Sequence, residues 1–508
     1  MAEYYSEGET RAPVWVCVGE SGDAEKAAAL VGLSAADRAG GPADLDVVAR
    51  WLDEGIAPNG AQGRAFSARS THGFDLTFGA PKSVTLLRAV SGDDVLAKAV
   101  VEAHNHAVRE ALEYLYDHAG YTRVHNPDTG KKDLVRLPGL VMAAYQHETS
   151  RDGDPHLHTT CCCPTLRPVA MARWCRSTPN RCTMKPRLPA SFIRPRCATT
   201  CCSRWAWKWG PIDPRTGMAE IAGVDRATIK SWSQRSTELR AWAEQNLVVD
   251  EQGGATAAQL AAAQKATRPA KPEHLAWAEL KHLWAHDGRG FVIDETAQLA
   301  ARLARKSMRF DVHALGRQAA VGIDKAAFTR ADLVEAIGSR LPPSIEGAGS
   351  QSDGNAIPPR YLIEGIAERI GIRISAPRLA HEREGHERFT TAAVIAEEAA
   401  IVDLMGARDE RAALAPAALD TAGLSADQAR AITAIATSPW LIQPLSAPAG
   451  AGKTTSLKAL RAAAHRGGKP RVVVLAPTGK AVDVAVREGA GDTGYTVDKA
   501  VRICATGS

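Results

Sequence analysis

The chain has 508 residues, 45% hydrophobic and 23% charged, the make-up of ordinary globular protein, and at roughly 100–200 residues per domain about three domains are expected. No apolar run reaches the roughly 18 residues of a membrane span, and the acidic start MAEYYSEGET excludes a secretory signal peptide, so a cytoplasmic setting is expected. The formal net charge of +5 is no signature of a nucleic-acid partner, because residues 160–208 alone carry +10 and leave the rest at −5.

In chain order, PVWVCV (13–18) is a strand-sized apolar run. FDLTF (74–78) alternates, which predicts a strand with Phe74, Leu76 and Phe78 on one face and Asp75 and Thr77 on the other. VMAAYQH (141–147) and PHLHT (155–159) read as two more strands about the turn SRDGD (150–154).

Residues 160–208 break this pattern. They hold eight of the ten cysteines, eight Arg, two Lys, six Pro and no acidic residue. The triplet Cys161-Cys162-Cys163 offers no separated ligand pairs for zinc, and a disulfide scaffold does not suit a cytoplasmic chain. Two readings remain: a basic arm without periodicity, and a shifted reading frame in a GC-rich message. If GC-rich codons are assumed for Thr-Thr-Cys-Cys-Cys-Pro, restoring one base gives Thr-His-Val-Leu-Leu-Pro, a strand. As it stands, the segment is expected to supply no core strands and to leave the sheet incomplete.

Amphipathic helix resumes over 223–246, and residues 255–420 are Ala-rich and helical around a linker at 341–359. A new α/β unit opens near 421. There the apolar run WLIQPL, the glycine-rich APAGAGKTT (447–455) and a following helix predict a strand, turn and helix of phosphate-loop type. Gly450 and Gly452 let backbone N–H groups close around phosphate oxygens, Lys453 bridges the β- and γ-phosphates, and the Thr454 hydroxyl holds Mg²⁺. Thr455 and Gln428 complete the expected nucleotide-binding set. The first glycine of the usual pattern is replaced by Ala447. No acidic strand for Mg²⁺ and water follows before Ser508, so the nucleotide-hydrolysing half is expected to be missing.

A second constellation is histidine and carboxylate. His147 lies on one predicted strand, and His156 and His158, at i and i+2, share one face of the next, so adjacent strands present imidazoles to one divalent ion. Asp75 on a nearby strand is a candidate to orient a ligand imidazole. Tyr4 and Tyr5 form a pair that reads as packing by itself, although a tyrosine hydroxyl is also a covalent nucleophile.

Taken together, GFDLTFGAPKSVTLL (73–87), HETSRDGDPHLHT (147–159), the tyrosine pair, APAGAGKTT and VLAPTGKA resemble the MobF-class conjugative relaxase–helicases over about 1–159 and 209–508. The resemblance implies a DNA strand transferase in which Tyr4 or Tyr5 attacks a phosphate of single-stranded DNA at a transfer origin. It also implies Asp75 as the carboxylate orienting a histidine, and His147 and His158 as ligands of a divalent metal, Mg or Mn. The family's third ligand falls at Thr160, and His156 offers an alternative register. An ATP- and Mg-dependent helicase and a set of conjugation accessory and coupling proteins are implied as well.

The architecture expected is an α+β relaxase domain, an antiparallel sheet with helices, over 1–300. A helical connecting region follows over 301–420, and the N-terminal part of a RecA-like α/β P-loop domain over 421–508. The chain is expected to be impaired by its anomalous segment and its short ends. Two alternatives stand beside this: an ATP-dependent DNA translocase without nicking, and a non-catalytic DNA-binding remnant.

Overall fold

The computed structural model describes residues 12–19, 22–62, 72–164, 166–169, 173–176, 207–213, 218–247, 257–267, 275–306, 311–323, 325–341, 359–382, 385–414, 419–448, 451–469 and 471–506. Tyr4, Tyr5, Gly450, most of 160–208 and most of the linker at 341–359 lie outside the described residues. The chain forms two compact units, Met1–Thr391 and Ala392–Ser508. Among the described residues no helix is long and apolar enough to cross a membrane.

In the first unit, strand β1 (Val14–Val18) precedes helices α1 (Asp23–Leu30) and α2 (Leu45–Ala49). Strand β2 (Gly73–Gly79) leads into helices α3 (Lys82–Val90) and α4 (Asp94–Ala119). A hairpin of β3 (Tyr121–His125) and β4 (Lys132–Arg136) then joins the long strands β5 (Leu140–Thr149) and β6 (Pro155–Pro164). The central sheet is antiparallel throughout, in the order β1-β5-β6-β2.

Period-2 alternation divides the sheet into two faces, as its sequence predicts. Phe78, Met142, Ala144, Leu157, Cys161 and Cys163 pack on α4, which buries Leu96, Val100, Ala103, Ala107, Ala111 and Leu115 at helical spacing. The start of α4 is capped by Asp93, whose carboxylate accepts from Val95 N at 2.9 Å and Leu96 N at 3.0 Å. On the other face, Trp15, Val141, Ala143, Tyr145 and Cys162 meet Ala28, Val31, Val48, Trp51 and Leu52. Each fully buried Val, Leu, Met or Phe among these contributes about 1.5–3 kcal/mol relative to exposure.

The expectation of an incomplete sheet is overturned at its nearest point. Strand β6 runs on through Thr160 and all three cysteines, which pair with Ala143 and Ala144 of β5 and with Phe74, Asp75 and Leu76 of β2. The three are 0%, 2% and 8% exposed. A thiol packs as a small apolar group, so the pleat accommodates a residue run whose composition looks foreign to a strand. Beyond it, Leu166–Val169 and Arg173–Arg176 form a short antiparallel pair.

The apolar core continues past residue 300. Leu315, Ala319, Leu333, Ile337, Ile363 and Ile366, on helices Val312–Val321, Arg330–Arg340 and Pro359–Ile370, belong to the same cluster as α4. His118 at the end of α4 meets Glu364 at 2.9 Å, and Arg360 pairs with Asp117. The compact unit therefore ends inside the helical region expected over 301–420.

In the second unit, helix Ala426–Ala436 packs on helix Lys453–Arg466, with Leu414, Ala436 and Ala463 buried between them. Strands Val473–Ala476 and Thr493–Thr496 pair in parallel. The strand expected at WLIQPL is absent: residues 441–448 are irregular, with Leu441 and Ile442 54% and 41% exposed. An apolar run becomes a strand only beside a partner ladder, and Pro444 removes a donor from the middle of this one.

Candidate active site

Three imidazoles gather at the end of the sheet beyond the α1 and α2 contacts. In the β5–β6 register His147 stands directly opposite His158, and their rings stack at 4.7 Å between centroids. His156, two residues back along β6, stacks on His158 from its other side at 4.6 Å. All three are half-buried. Gly79 of β2 pairs with His158 and borders the His156 ring, to which a Cβ at 79 would stand in ordinary contact at 3.4 Å from Cε1.

The chemistry of the rings is set by burial. Desolvation pushes His156 well below the ordinary imidazole value, and His158 and Lys82 push the same way. His158 is lowered by burial too, partly offset by its bond to the His156 carbonyl. In that bond, 2.9 Å long, Nδ1 of His158 donates to the carbonyl oxygen, which leaves Nε2 with the lone pair. These are neutral donors, the form that a borderline divalent metal takes.

The donor set therefore fits a divalent cation in kind, while the rings lie stacked rather than converging. Among the described residues no three His, Cys, Asp or Glu side chains are assembled as a metal cage. The χ2 torsion that turns an imidazole is soft, so the ring planes can reorient about Cβ–Cγ.

The turn between the two strands is tied down on both sides. Glu148, next to His147, takes a two-pronged bond from Arg88 of α3, whose second contact measures 3.0 Å, and both side chains are at most 2% exposed. Arg88 also lies 3.8 Å over the ring of Trp277. Asp154, two residues before His156, accepts from Arg289 Nη1 at 2.7 Å and from Gln234 N at 2.8 Å. Arg289 in turn lies 3.8 Å over Trp232. Neither clamp was foreseen, because its partners are 60 and 135 residues apart and follow no local period.

Two further groups were also missed. His104 of α4 is fully buried, with Nε2 at 3.0 Å from Thr159 Oγ1 and Nδ1 without a partner among the described residues. Burial, then His158 and Arg88, push it down to about 3. Lys82, the first residue of α3, donates to the Pro155 carbonyl at 2.6 Å, and burial pushes it down to about 8.

Asp75 does not sit beside the three rings. It pairs with Cys162, whereas His158 pairs with Gly79, four residues or roughly 13 Å further along β2. Its diagonal neighbour is Thr160, which pairs with Thr77 and Tyr145 and whose Oγ1 lies 3.2 Å from Thr77 Oγ1. By register, Asp75 is thus nearer to position 160 than to His158.

In the second unit, Lys453 opens its helix behind Gly452, which holds the left-handed φ of 72° that such a turn requires. Its ammonium donates to the Ala447 and Pro448 carbonyls at 2.9 and 2.8 Å, so the loop's cation is folded back on the loop itself. Gln428 accepts from Ser425 N at 3.0 Å and donates to Ala451 O at 2.8 Å, tying the N-terminal cap of its own helix to the glycine-rich turn. Thr454 is half-buried and Thr455 exposed on the first turn.

A model of the TrwC relaxase family matches residues 1–290, and one described as an AAA domain matches residues 423–506. The multifunctional conjugation protein TraI of Escherichia coli is 43% identical over 122 residues, 23% of this chain and 6% of TraI. The chain thus matches a small part of the length of that curated relative. Among solved structures, TrwC complexed with a 27-mer DNA comprising the recognition hairpin and the cleavage site gives a TM-score of 0.44 at 24% identity, over 56% of this chain and 91% of that one. A metal-free complex of TrwC with oriT DNA gives 0.44 at 25% identity over the same shares.

Proposed function

The chain belongs to the TrwC relaxase family, and from that premise we propose that its first unit is a metal-dependent DNA strand transferase acting on single-stranded DNA at a transfer origin. The observation that carries this reading is the register that sets His147 opposite His158 with His156 stacked alongside. These three imidazoles would hold Mg²⁺ or Mn²⁺, with His156 taking the role that Thr160 is unable to fill. When bound, the cation supplies charge neutralisation at the non-bridging oxygens of the scissile phosphate.

The chain's own residues do the rest. The hydroxyl of Tyr4 or Tyr5 attacks phosphorus, a tyrosyl O–P bond forms, and the bond to the 3′ oxygen breaks. The products are a 5′-phosphotyrosine and a free 3′-hydroxyl, the phenolic proton passing to solvent or base and the departing 3′ oxygen taking one up in return. The Arg88–Glu148 and Asp154–Arg289 clamps keep His147 and His156 in place, and the His156 ring, held neutral by burial, presents a lone pair without first losing a proton. Residues 423–506 would bind ATP with Mg²⁺ through Gly450, Gly452, Lys453, Thr454, Thr455 and Gln428, as part of a helicase motor that unwinds the nicked strand. The protein would work in the cytoplasm with conjugation accessory and coupling proteins.

The test is denaturing gel electrophoresis after incubation with a labelled origin oligonucleotide and Mn²⁺. A weak covalent adduct is expected from the unmodified chain, lost in the Tyr4→Phe/Tyr5→Phe double variant. An adduct that survives in the double variant excludes both tyrosines. One observation favours DNA binding or translocation without nicking: the rings are stacked, not convergent. Retained DNA binding with no adduct from any form supports that second reading.

A further inference from the structure

We propose that Lys82 is a phosphate contact of this site, its ammonium holding a non-bridging oxygen of the DNA strand that lies at His147, His156 and His158. The proposal rests on the reading of those imidazoles as the phosphodiester centre, and adds a residue that neither the histidine pattern nor the tyrosine pair implies.

Lys82 is in an unusual place for a lysine. A cation at the first position of a helix opposes the helix dipole, so nothing in α3 itself asks for it. It is also half-buried, which a four-carbon ammonium side chain avoids when solvent is its only partner.

Its hydrogen bonding is incomplete. An ammonium carries three donors, and one of them goes to the Pro155 carbonyl at 2.6 Å. Among the described residues no carboxylate forms an ion pair with it, although two lie close enough to act on its charge. Both of these are committed elsewhere. Glu220 accepts from Ser83 N at 2.8 Å and Ser83 Oγ at 2.6 Å. Asp154 is held by Arg289 and by Gln234 N. Lys82 is therefore left as a positive charge with donors to spare in a partly dry setting, where a charged contact is worth more than at an open surface.

The location gives that charge its use. The carbonyl Lys82 touches belongs to the residue before His156, and its charge is felt by the His156 ring. Gly79, three residues ahead of Lys82, borders the same ring. A phosphate drawn to the imidazoles arrives beside the ammonium. A lysine that only pinned the loop would leave no mark on the salt dependence of DNA binding, which separates the two roles.

The experiment uses the full chain with Lys82→Met, Lys82→Gln and Lys82→Arg variants. Its probe is fluorescein-labelled single-stranded DNA of mixed sequence, about 30 nucleotides long, followed by anisotropy over a series of salt concentrations with Mn²⁺ present. Loss of one phosphate contact makes the log–log salt slope shallower by about 0.7 and weakens binding about fivefold at 0.1 M salt, and Lys82→Arg restores both. Slopes equal to that of the unmodified chain in the Met and Gln variants overturn the proposal. Having two neutral variants keeps it testable if one fails to fold, as judged by circular dichroism. Mn²⁺ titration of His158→Ala reports on the imidazole centre by itself: undiminished affinity there sinks the metal reading, whatever the Lys82 variants do.

Discussion

The guanidinium of Arg88 is laid between the carboxylate of Glu148 and the ring of Trp277, one residue along the strand from His147. A buried ion pair of this kind couples helix α3, strand β5 and the helix at Trp277–Ala285 at a single point. Removing one partner strands the other charge in the interior, which costs about 3–5 kcal/mol. Glu148→Gln and Arg88→Met are each expected to lower stability by that order, as read by urea unfolding followed through tryptophan fluorescence. The Arg88→Met/Glu148→Met double variant is expected to recover much of the loss. Single variants no less stable than the parent would mean that the pair is not desolvated as the packing indicates.

His104 gives the stability of the first unit a pH dependence of definite sign. The folded state holds this ring neutral down to about 3, against 6.5 as the ordinary value. Below pH 6.5 the unfolded chain therefore takes up a proton that the folded chain refuses, and stability falls as pH falls, by at most about 1.4 kcal/mol per pH unit. Above pH 6.5 the group contributes no slope. His156 and His158 are shifted in the same direction. Unfolding midpoints at pH 7 and pH 5 are expected to differ less in His104→Gln than in the parent chain, and an unchanged difference would remove His104 from the account.

Position 160 is the natural place to add a ligand. Thr160 faces the same side of β6 as His158 and stands diagonal to Asp75. Thr160→His is expected to tighten Mn²⁺ binding, measured by calorimetry, and Asp75→Asn is expected to have little effect in the parent chain but to erase part of that gain. The non-additivity of the two changes is the quantity to watch, since groups in contact couple and distant ones add. Asp75→Asn weakening the parent chain as much as the Thr160→His variant would place the carboxylate at the existing rings instead.

In the second unit, nucleotide must draw Lys453 away from the Ala447 and Pro448 carbonyls. Lys453→Ala is expected to weaken binding of a non-hydrolysable ATP analogue with Mg²⁺ at least tenfold, from about 1.5–3 kcal/mol for a charge-assisted hydrogen bond. Gln428→Ala, which unties Ala451 from the neighbouring helix, is expected to have a smaller effect. Equal titrations for parent and Lys453→Ala would discard the phosphate-loop assignment.

The parts legible in the sequence share a physical cause. FDLTF and PHLHT alternate, so their faces follow from the pleat, whereas VMAAYQH is a continuous apolar run and the pairing of His147 with His158 comes from the β5–β6 register. The helix after the glycine-rich turn carries its own punctuation and starts at Lys453. WLIQPL misled because hydrophobicity alone does not supply a neighbouring strand. Cys161-Cys162-Cys163 misled in the opposite sense: composition marked it as foreign, while geometry asked only for small apolar groups at three pleat positions. Asp75 lies on the exposed face that its alternation predicts, but which position of β6 it neighbours follows from the β2–β6 register and not from FDLTF. The clamps at Arg88 and Arg289, the buried His104 and the donor-rich Lys82 depend on contacts across the fold, where a linear pattern carries no information.

The same cysteine triplet can serve as a clock. Its first and third thiols point toward α4 and its second toward Trp51, so neighbours in the chain are partitioned to opposite sides of the sheet and are not disulfide-bonded. A thiol-directed alkylating reagent meets Cys504 on an open helix surface at once. It reaches Cys161, Cys162 and Cys163 only in the moments when β6 parts from β5 or β2. Their rate of modification therefore times the breathing of the strand that carries His156 and His158, and anything that fastens those imidazoles should slow it.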